Sequence, residues 1–266
     1  MWNWIQDHRR QKILEAPFPP EWESCLKRNV AHYRRLDEAE RRHLRDLTQV
    51  FIAEKHWEGC GGLVLNDDIR VTIAAQACLM ILALPHDLYR KVKTVLVYPS
   101  TVLAPERPLG FFEVPEEPST GPTPILGEAH QYGLVILVWD AVLQSARHPE
   151  NGHNVVYHEF AHQLDFLDGH ADGTPPLESR EQYRRWIEVC SREFLGLRAS
   201  AEKGKHTFLD AYGAVNEVEF FAVVTEQFFD QPVAMKTRHP ELYEVLRSFF
   251  RQDPVELEGK VASVKP

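Results

Sequence analysis

Val155-Val156-Tyr157-His158-Glu159-Phe160-Ala161-His162-Gln163-Leu164-Asp165-Phe166-Leu167-Asp168 is the stretch of this 266-residue chain on which the rest of the reading depends. His158 and His162 stand just over one helical turn apart, so on a helix both imidazoles leave one face and can grip a single metal ion. Glu159 follows the first histidine, placed to take a proton from a metal-bound water. Val156, Phe160, Leu164 and Leu167 recur at helical spacing and form an apolar stripe roughly opposite the histidines. Asp165 shares the histidine face, where it can fix an imidazole tautomer or cap polar groups near the helix end. A surface helix with two unrelated histidines would have no need of these two faces. The pattern points to metal-assisted hydrolysis of peptide bonds.

Catalytic zinc takes three protein ligands and keeps one position open for water. Two carboxylates compete to be the third. Asp168 lies ten residues after His158, where one large group of zinc peptidases carries its ligand. That arrangement needs a glycine at position 165 to turn the chain out of the helix, and here the first glycine is Gly169. Met235 stands isolated between Ala234 and Lys236 and does not read as a methionine turn below the metal. Glu219 is the stronger candidate. It lies in Tyr212-Gly-Ala-Val-Asn216-Glu217-Val-Glu219-Phe220-Phe221-Ala-Val223-Val224-Thr-Glu226-Gln-Phe228, which reads as a second helix with Asn216 as its N-cap. Phe220, Phe221, Val224 and Phe228 make its buried side. Glu219, Val223 and Glu226 share another face, so one carboxylate can meet the metal and the other can orient a ligand. Standing alone, Glu217, Glu219 and Glu226 would read as solvated helix acids.

The blocks His158-Glu159-Phe-Ala-His162-Gln-Leu-Asp165 and Tyr212-Gly-x-x-Asn216-Glu217-x-Glu219-Phe220-Phe221-Ala222 resemble the Mlc titration factor A family of bacterial zinc peptidases. The resemblance extends to Gly127-Glu128-Ala129 and to the strand-like Gly133-Leu-Val-Ile-Leu-Val-Trp139-Asp140. The same two blocks are similar to the catalytic domain of anthrax lethal factor, a gluzincin-type protease. Carried over by position, the resemblance implies one Zn²⁺ per chain on His158, His162 and Glu219, with Glu159 as general base. It sets Tyr212 near the reacting carbonyl, where its hydroxyl can bond the oxyanion. One departure stands out: lethal factor has a second glutamate four residues after its ligand glutamate, and this chain has Val223 there. Any work of that carboxylate falls to Glu226 or Glu217, or is absent. The resemblance further implies aminopeptidase-like activity on peptide substrates and association with Mlc, a transcriptional repressor of bacterial sugar-uptake genes. A rival reading is a non-catalytic regulatory protein that sequesters such a repressor. Glu159 and the open ligand set favour an enzyme, because a purely structural metal needs no general base.

Composition narrows the remaining possibilities. With 44% apolar residues, the chain can bury one sizeable core. The formal charge of −9 argues against broad nucleic-acid binding, which depends on neutralising phosphates. Arg34-Arg35 and Arg41-Arg42 are interrupted by Asp37, Glu38 and Glu40 and read as a solvated amphipathic helix. The N-terminus is charged within ten residues and does not read as a signal peptide. The uncharged run from Val71 to Pro85 is too short to span a bilayer and fits a buried helix. Cys25, Cys60, Cys78 and Cys190 show no C-x-x-C pairing and read as buried free thiols of a cytoplasmic protein. His130, His148, His153 and His170 read as surface or loop residues, with His153 near the cap of the motif helix.

The expected fold is α+β: a zincin-like metallopeptidase domain with a small mixed sheet, an active-site helix and additional N-terminal helices. We read residues 1–266 as one domain, with a mainly helical part over 1–85, a catalytic core over 86–253 and a loosely ordered tail over 254–266. Residues 20–58 and 68–84 read as helices separated by a turn at Gly59-Cys-Gly-Gly62. Residues 93–98 and 133–139 read as strands, and 99–124, with seven prolines, as irregular. Residues 177–197 read as a further helix. The strand at 133–139 is either an ordinary buried strand or an exposed edge that pairs with substrate backbone.

Overall fold

Capping chemistry divides the N-terminal helices. The computed structural model describes residues 2–85, 87, 89–100, 102–103, 124–125, 127–130 and 133–262. The single helix expected over 20–58 is instead α2 (Pro20–Asn29), a 3-10 segment (Ala31–Arg35), α3 (Glu38–Glu54) and a strand, β1 (His56–Gly59). Asp37 is the reason. Its carboxylate accepts from the Glu40 amide at 2.9 Å, while the Glu40 carboxylate accepts from the Asp37 amide at 2.8 Å. That reciprocal cap starts a new helix. The acids that interrupt the basic stretch are therefore helix-start residues. α1 (Trp2–Leu14) precedes these elements and α4 (Asp67–Met80) follows them, the latter begun by Asn66, whose side chain accepts from the Ile69 amide at 3.0 Å.

Among the described residues, four strands form one mixed sheet. β1, β2 (Thr94–Tyr98) and β6 (Leu134–Val138) run parallel, and β5 (Gly127–His130) is antiparallel to β6, in the order β1-β2-β6-β5. Thr94 sits opposite Leu134, and Gly127 opposite Leu137. The edge reading of the strand at 133–139 is thus corrected. β6 is paired on both flanks because the chain before it doubles back antiparallel and covers its open side. β5 is the edge. Val102–Leu103 (β3) and Pro124–Ile125 (β4) pair separately; the rest of the proline-rich stretch after Ser100 lies outside the described residues.

The core sits between this sheet and the helices. After β6 come α5 (Trp139–Arg147), α6 (Val155–Asp165), α7 (Arg180–Ala201), α8 (Glu217–Asp230), α9 (Pro232–Arg238) and α10 (Pro240–Phe250). Residues 254–262, expected as a loose tail, form α11 (Pro254–Ala262), tied back by a Glu258–Arg35 ion pair at 2.8 Å. α4 is buried along Val71–Met80, as its uncharged sequence suggests. Phe160 of α6 packs edge-on to Tyr89 at 4.8 Å and to Phe51 at 5.8 Å between ring centroids. Burying a ring of this kind contributes roughly 1.5–3 kcal/mol, so α6 is anchored from behind. All four cysteines are free, but only Cys25 and Cys78 are buried as expected, Cys60 and Cys190 being half-buried. Among the described residues, no helix is long and apolar enough to cross a membrane.

His32 of the 3-10 segment is buried in this core, with Nε2 at 2.8 Å from the Phe229 carbonyl and 3.5 Å from Asp230. Burial holds its pKa down at about 3, against about 6.5 in an unfolded chain. Between these values the unfolded chain binds more protons, so this contribution is fully present above pH 6.5 and is lost as pH falls towards 3. His32→Gln is expected to remove up to ~1.4 kcal/mol per pH unit from the slope of stability across that window. Denaturant melts of both proteins between pH 7 and 4.5 measure it; parallel slopes would refute it.

Candidate metal centre

Asn154 begins α6, its side-chain oxygen accepting from the Tyr157 amide at 3.2 Å; His153 stands one residue before this cap. At the far end α6 passes into a 3-10 turn, Phe166–Asp168, ended by Gly169 in the left-handed region. The Lys91 ammonium donates to the Phe166 and Leu167 carbonyls of that turn, satisfying acceptors that a helix end leaves open. Val156, Phe160 and Leu164 are buried as their spacing suggests. The opposite face is enclosed as well: Glu159 is only 2% exposed. This is not a surface helix carrying stray histidines.

Glu219 comes from α8. Asn216 caps that helix by accepting from the Glu219 amide itself at 2.8 Å, so the cap fixes the residue whose carboxylate turns towards α6. Phe220, Phe221, Val224 and Phe228 are buried behind it. Glu219 Oε2 lies 3.0 Å from His158 Nε2 and 3.6 Å from His162 Nε2. One donor atom from each of His158, His162 and Glu219 falls within 4.8 Å of the others. The two imidazoles meet nearly perpendicular, at 89°. Two nitrogens and one carboxylate oxygen, converging from one side, are the donor set that zinc favours at sites with a position left open.

Glu226, two turns beyond Glu219, stands behind the first histidine. His158 Nδ1 is 2.8 Å from Glu226 Oε1, and the other oxygen of Glu226 accepts from the Asn154 amide at 2.6 Å. Of the two carboxylates weighed for an orienting role, Glu226 has the contact. Glu217 is exposed at the helix start, its backbone pressed against Gly173. A Cβ at Gly173 (φ +75°) would come within 2.2 Å of the Glu217 carbonyl oxygen, so only glycine fits there.

The charges follow from these contacts. Burial works against an ionised Glu219, but bonds to His158 and His162 outweigh it and hold its pKa down at about 2. Burial likewise opposes a charged His158, yet Glu219 and Glu226 on its two nitrogens raise it to about 10. Burial lowers His162. Two carboxylates, Glu219 and Glu226, thus face the two nitrogens of His158.

The other candidates sort clearly. Asp165 is buried, its carboxyl pushed up to about 6 by that burial, and accepts from the Gly173 amide at 3.0 Å. It ties down the loop after α6, whereas His162 Nδ1 has no hydrogen-bond partner among the described residues. Asp168 is exposed, bonds the His170 amide at 2.9 Å and stands outside the converging group. Tyr212 sits on a 3-10 turn (Ala211–Ala214) whose Asp210 side chain accepts from the Tyr212 amide at 2.7 Å. Its ring centroid is 6.0 Å from that of His158, and the residue is 53% exposed. Burial, then Glu219 and Glu159, keep its hydroxyl protonated by raising its pKa. The sequence does not single out Asn154, which caps α6, or Gln76, whose Oε1 accepts from the Asn154 side chain at 3.0 Å. Their signals were an asparagine directly before the motif helix and a lone glutamine within the uncharged run of α4.

Comparison with known proteins agrees with this geometry. The family model described as glucose-regulated metallo-peptidase M90 matches residues 4–251. An uncharacterized protein of Synechocystis sp., slr2042, is 37% identical over 256 residues, covering 95% of this chain and 91% of its own. The proteins named Mlc titration factor A in Yersinia pestis and Yersinia pseudotuberculosis are each 26% identical over 260 residues, covering 96% of this chain and 90% of theirs. With a family match running nearly end to end and two histidines and a glutamate converging inside it, the chain belongs to the glucose-regulated metallo-peptidase M90 family.

Proposed function

We propose that this protein is a zinc-dependent, gluzincin-type peptidase of zincin-like fold, in which His158, His162 and Glu219 hold one Zn²⁺ and Glu159 is the general base. The observation that carries this is the convergence of three donor groups within 4.8 Å beside a buried glutamate. When bound, zinc supplies a Lewis acid for the scissile carbonyl and draws the pKa of a ligated water towards ~7. Glu226 accepts the Nδ1 proton of His158 and so leaves Nε2, on the side of Glu219, as the nitrogen that would hold the metal. Ionised Glu219 offsets part of the cation's charge. Glu159 takes the proton of the attacking water and delivers it to the leaving amine. The Tyr212 hydroxyl donates to the oxyanion. β5, the antiparallel edge beside α6, offers backbone groups to an extended substrate.

Aminopeptidase-like action is the finer reading, taken from the family resemblance. A link to Mlc rests on the name of the Yersinia relatives, Mlc titration factor A; that Mlc represses sugar-uptake genes is what the family resemblance implies. Free cysteines accord with a cytoplasmic location. The second reading, a non-catalytic protein that binds the repressor, rests on the same name. Zinc content together with turnover of free-amine and N-blocked chromogenic peptides tests the proposal. One zinc with turnover of the free-amine substrate supports it; zinc without turnover of either hands the site to the binding reading.

Tyr212→Phe separates chemistry from binding. It is expected to keep zinc and lower kcat roughly 10–100-fold with KM nearly unchanged. A kcat equal to wild type would remove Tyr212 from the reaction.

A further inference from the structure

A chain of buried hydrogen bonds leads away from the centre into the core. Glu226 Oε1 meets His158 Nδ1 at 2.8 Å, and Glu226 Oε2 accepts from the Asn154 amide at 2.6 Å. The Asn154 side chain makes two further bonds. Its oxygen accepts from the Tyr157 amide at 3.2 Å, and its nitrogen donates to Gln76 Oε1 at 3.0 Å. Gln76 in turn donates to the Thr72 carbonyl at 3.2 Å within α4. Asn154 and Gln76 are fully buried. Each atom has a defined job: the Gln76 oxygen fixes which way the Asn154 amide points, and the Asn154 oxygen is then the one left to start α6. The same residue's backbone N–H holds Glu226.

We propose that Gln76 and Asn154 are positioning residues for the metal centre, setting the ring of His158 through Glu226 from the central helix α4. This rests on the zinc-peptidase reading of the same site. The physical case lies in satisfaction. The Asn154 NH₂ donates to Gln76 while the buried Asp230 carboxyl is its other neighbour, so losing the Gln76 acceptor removes the bond that fixes the Asn154 amide and releases it to turn towards Asp230. Turning Asn154 removes the cap of α6 and loosens the amide that fixes Glu226, four residues from His158. Partners that orient a metal-binding histidine typically matter by 10–100-fold in metal affinity or activity.

Gln76→Leu tests this beside Gln49→Leu, which also removes a buried glutamine, one bonded to the Ile13 and Ala16 carbonyls near α1. Both variants are expected to lose stability. Only Gln76→Leu is expected to weaken zinc binding and lower kcat, each by about tenfold, with KM within about twofold. The effect should pass through Glu226, so adding Gln76→Leu to Glu226→Gln should change zinc affinity by less than twofold. An equal loss in both backgrounds, or equal zinc affinity in Gln76→Leu and Gln49→Leu, overturns the proposal. The His158 Nδ1–H resonance in metal-free protein gives a readout independent of zinc and turnover. It should move in Gln76→Leu and stay in Gln49→Leu, and an unmoved resonance also overturns the proposal. A wild type that binds no zinc would instead sink the peptidase reading, leaving the resonance to judge the chain of bonds by itself.

Discussion

Glu159→Gln is expected to bind one zinc as the wild type does and to hydrolyse peptide roughly 10²–10⁴-fold more slowly. The substitution is nearly isosteric and removes only the capacity to accept a proton. Glu159 is enclosed in α6 and lies outside the converging donors, so the metal ligands keep their places. The amide cannot take the proton of the attacking water or return it to the leaving amine. Metal analysis beside turnover, at matched protein concentration, measures both halves. Loss of zinc would make Glu159 structural to the site. Undiminished turnover would mean that another group is the base.

Glu219→Ala is expected to lose zinc, and with it activity, whereas Asp168→Ala keeps both. The geometry separates the two carboxylates. Glu219 lies within 3.0 and 3.6 Å of the two histidine nitrogens, whereas Asp168 faces solvent and bonds the His170 amide. Removing Glu219 also withdraws one of the two carboxylates that raise His158, so its Nε2 loses both a neighbouring ligand and a source of negative potential. Apparent zinc affinity from competition with a chelator is the measurement. Retained zinc in Glu219→Ala, with loss in Asp168→Ala, would exchange their roles.

Local rules made a good part of this legible. The His-x-x-x-His spacing, the apolar stripe of α6, the Asn216 cap and the buried phenylalanines of α8 depend only on neighbours within a turn or two, and they appear as read except for Leu167, which falls in the 3-10 turn after α6 and is half-buried. The uncharged run of α4 likewise announced its burial. Readings failed where a local signal was passed over or a distant partner decided. Asp37 and Glu40 read as interruptions of a basic face, although their spacing is that of a reciprocal cap. The four residues of β1 are too short to show a period, and they became a strand because β2 offered a parallel edge.

Which carboxylate stands behind His158 was open for a different reason. Glu217 and Glu226 are equally acidic on paper, and helical spacing puts Glu226 on the face of Glu219 without saying what that face meets. The crossing of α6 and α8 decides it, bringing together groups 68 residues apart in the chain at 2.8 Å. The residue types able to hold a metal and move a proton, and the helices that carry them, were written in the chain because helical periodicity is local. The contact of Glu226 behind His158, the burial of Glu159 and the tie from Asn154 to Gln76 came only from packing. Contact between distant segments is set by how whole faces fill one core, and no window of sequence contains that.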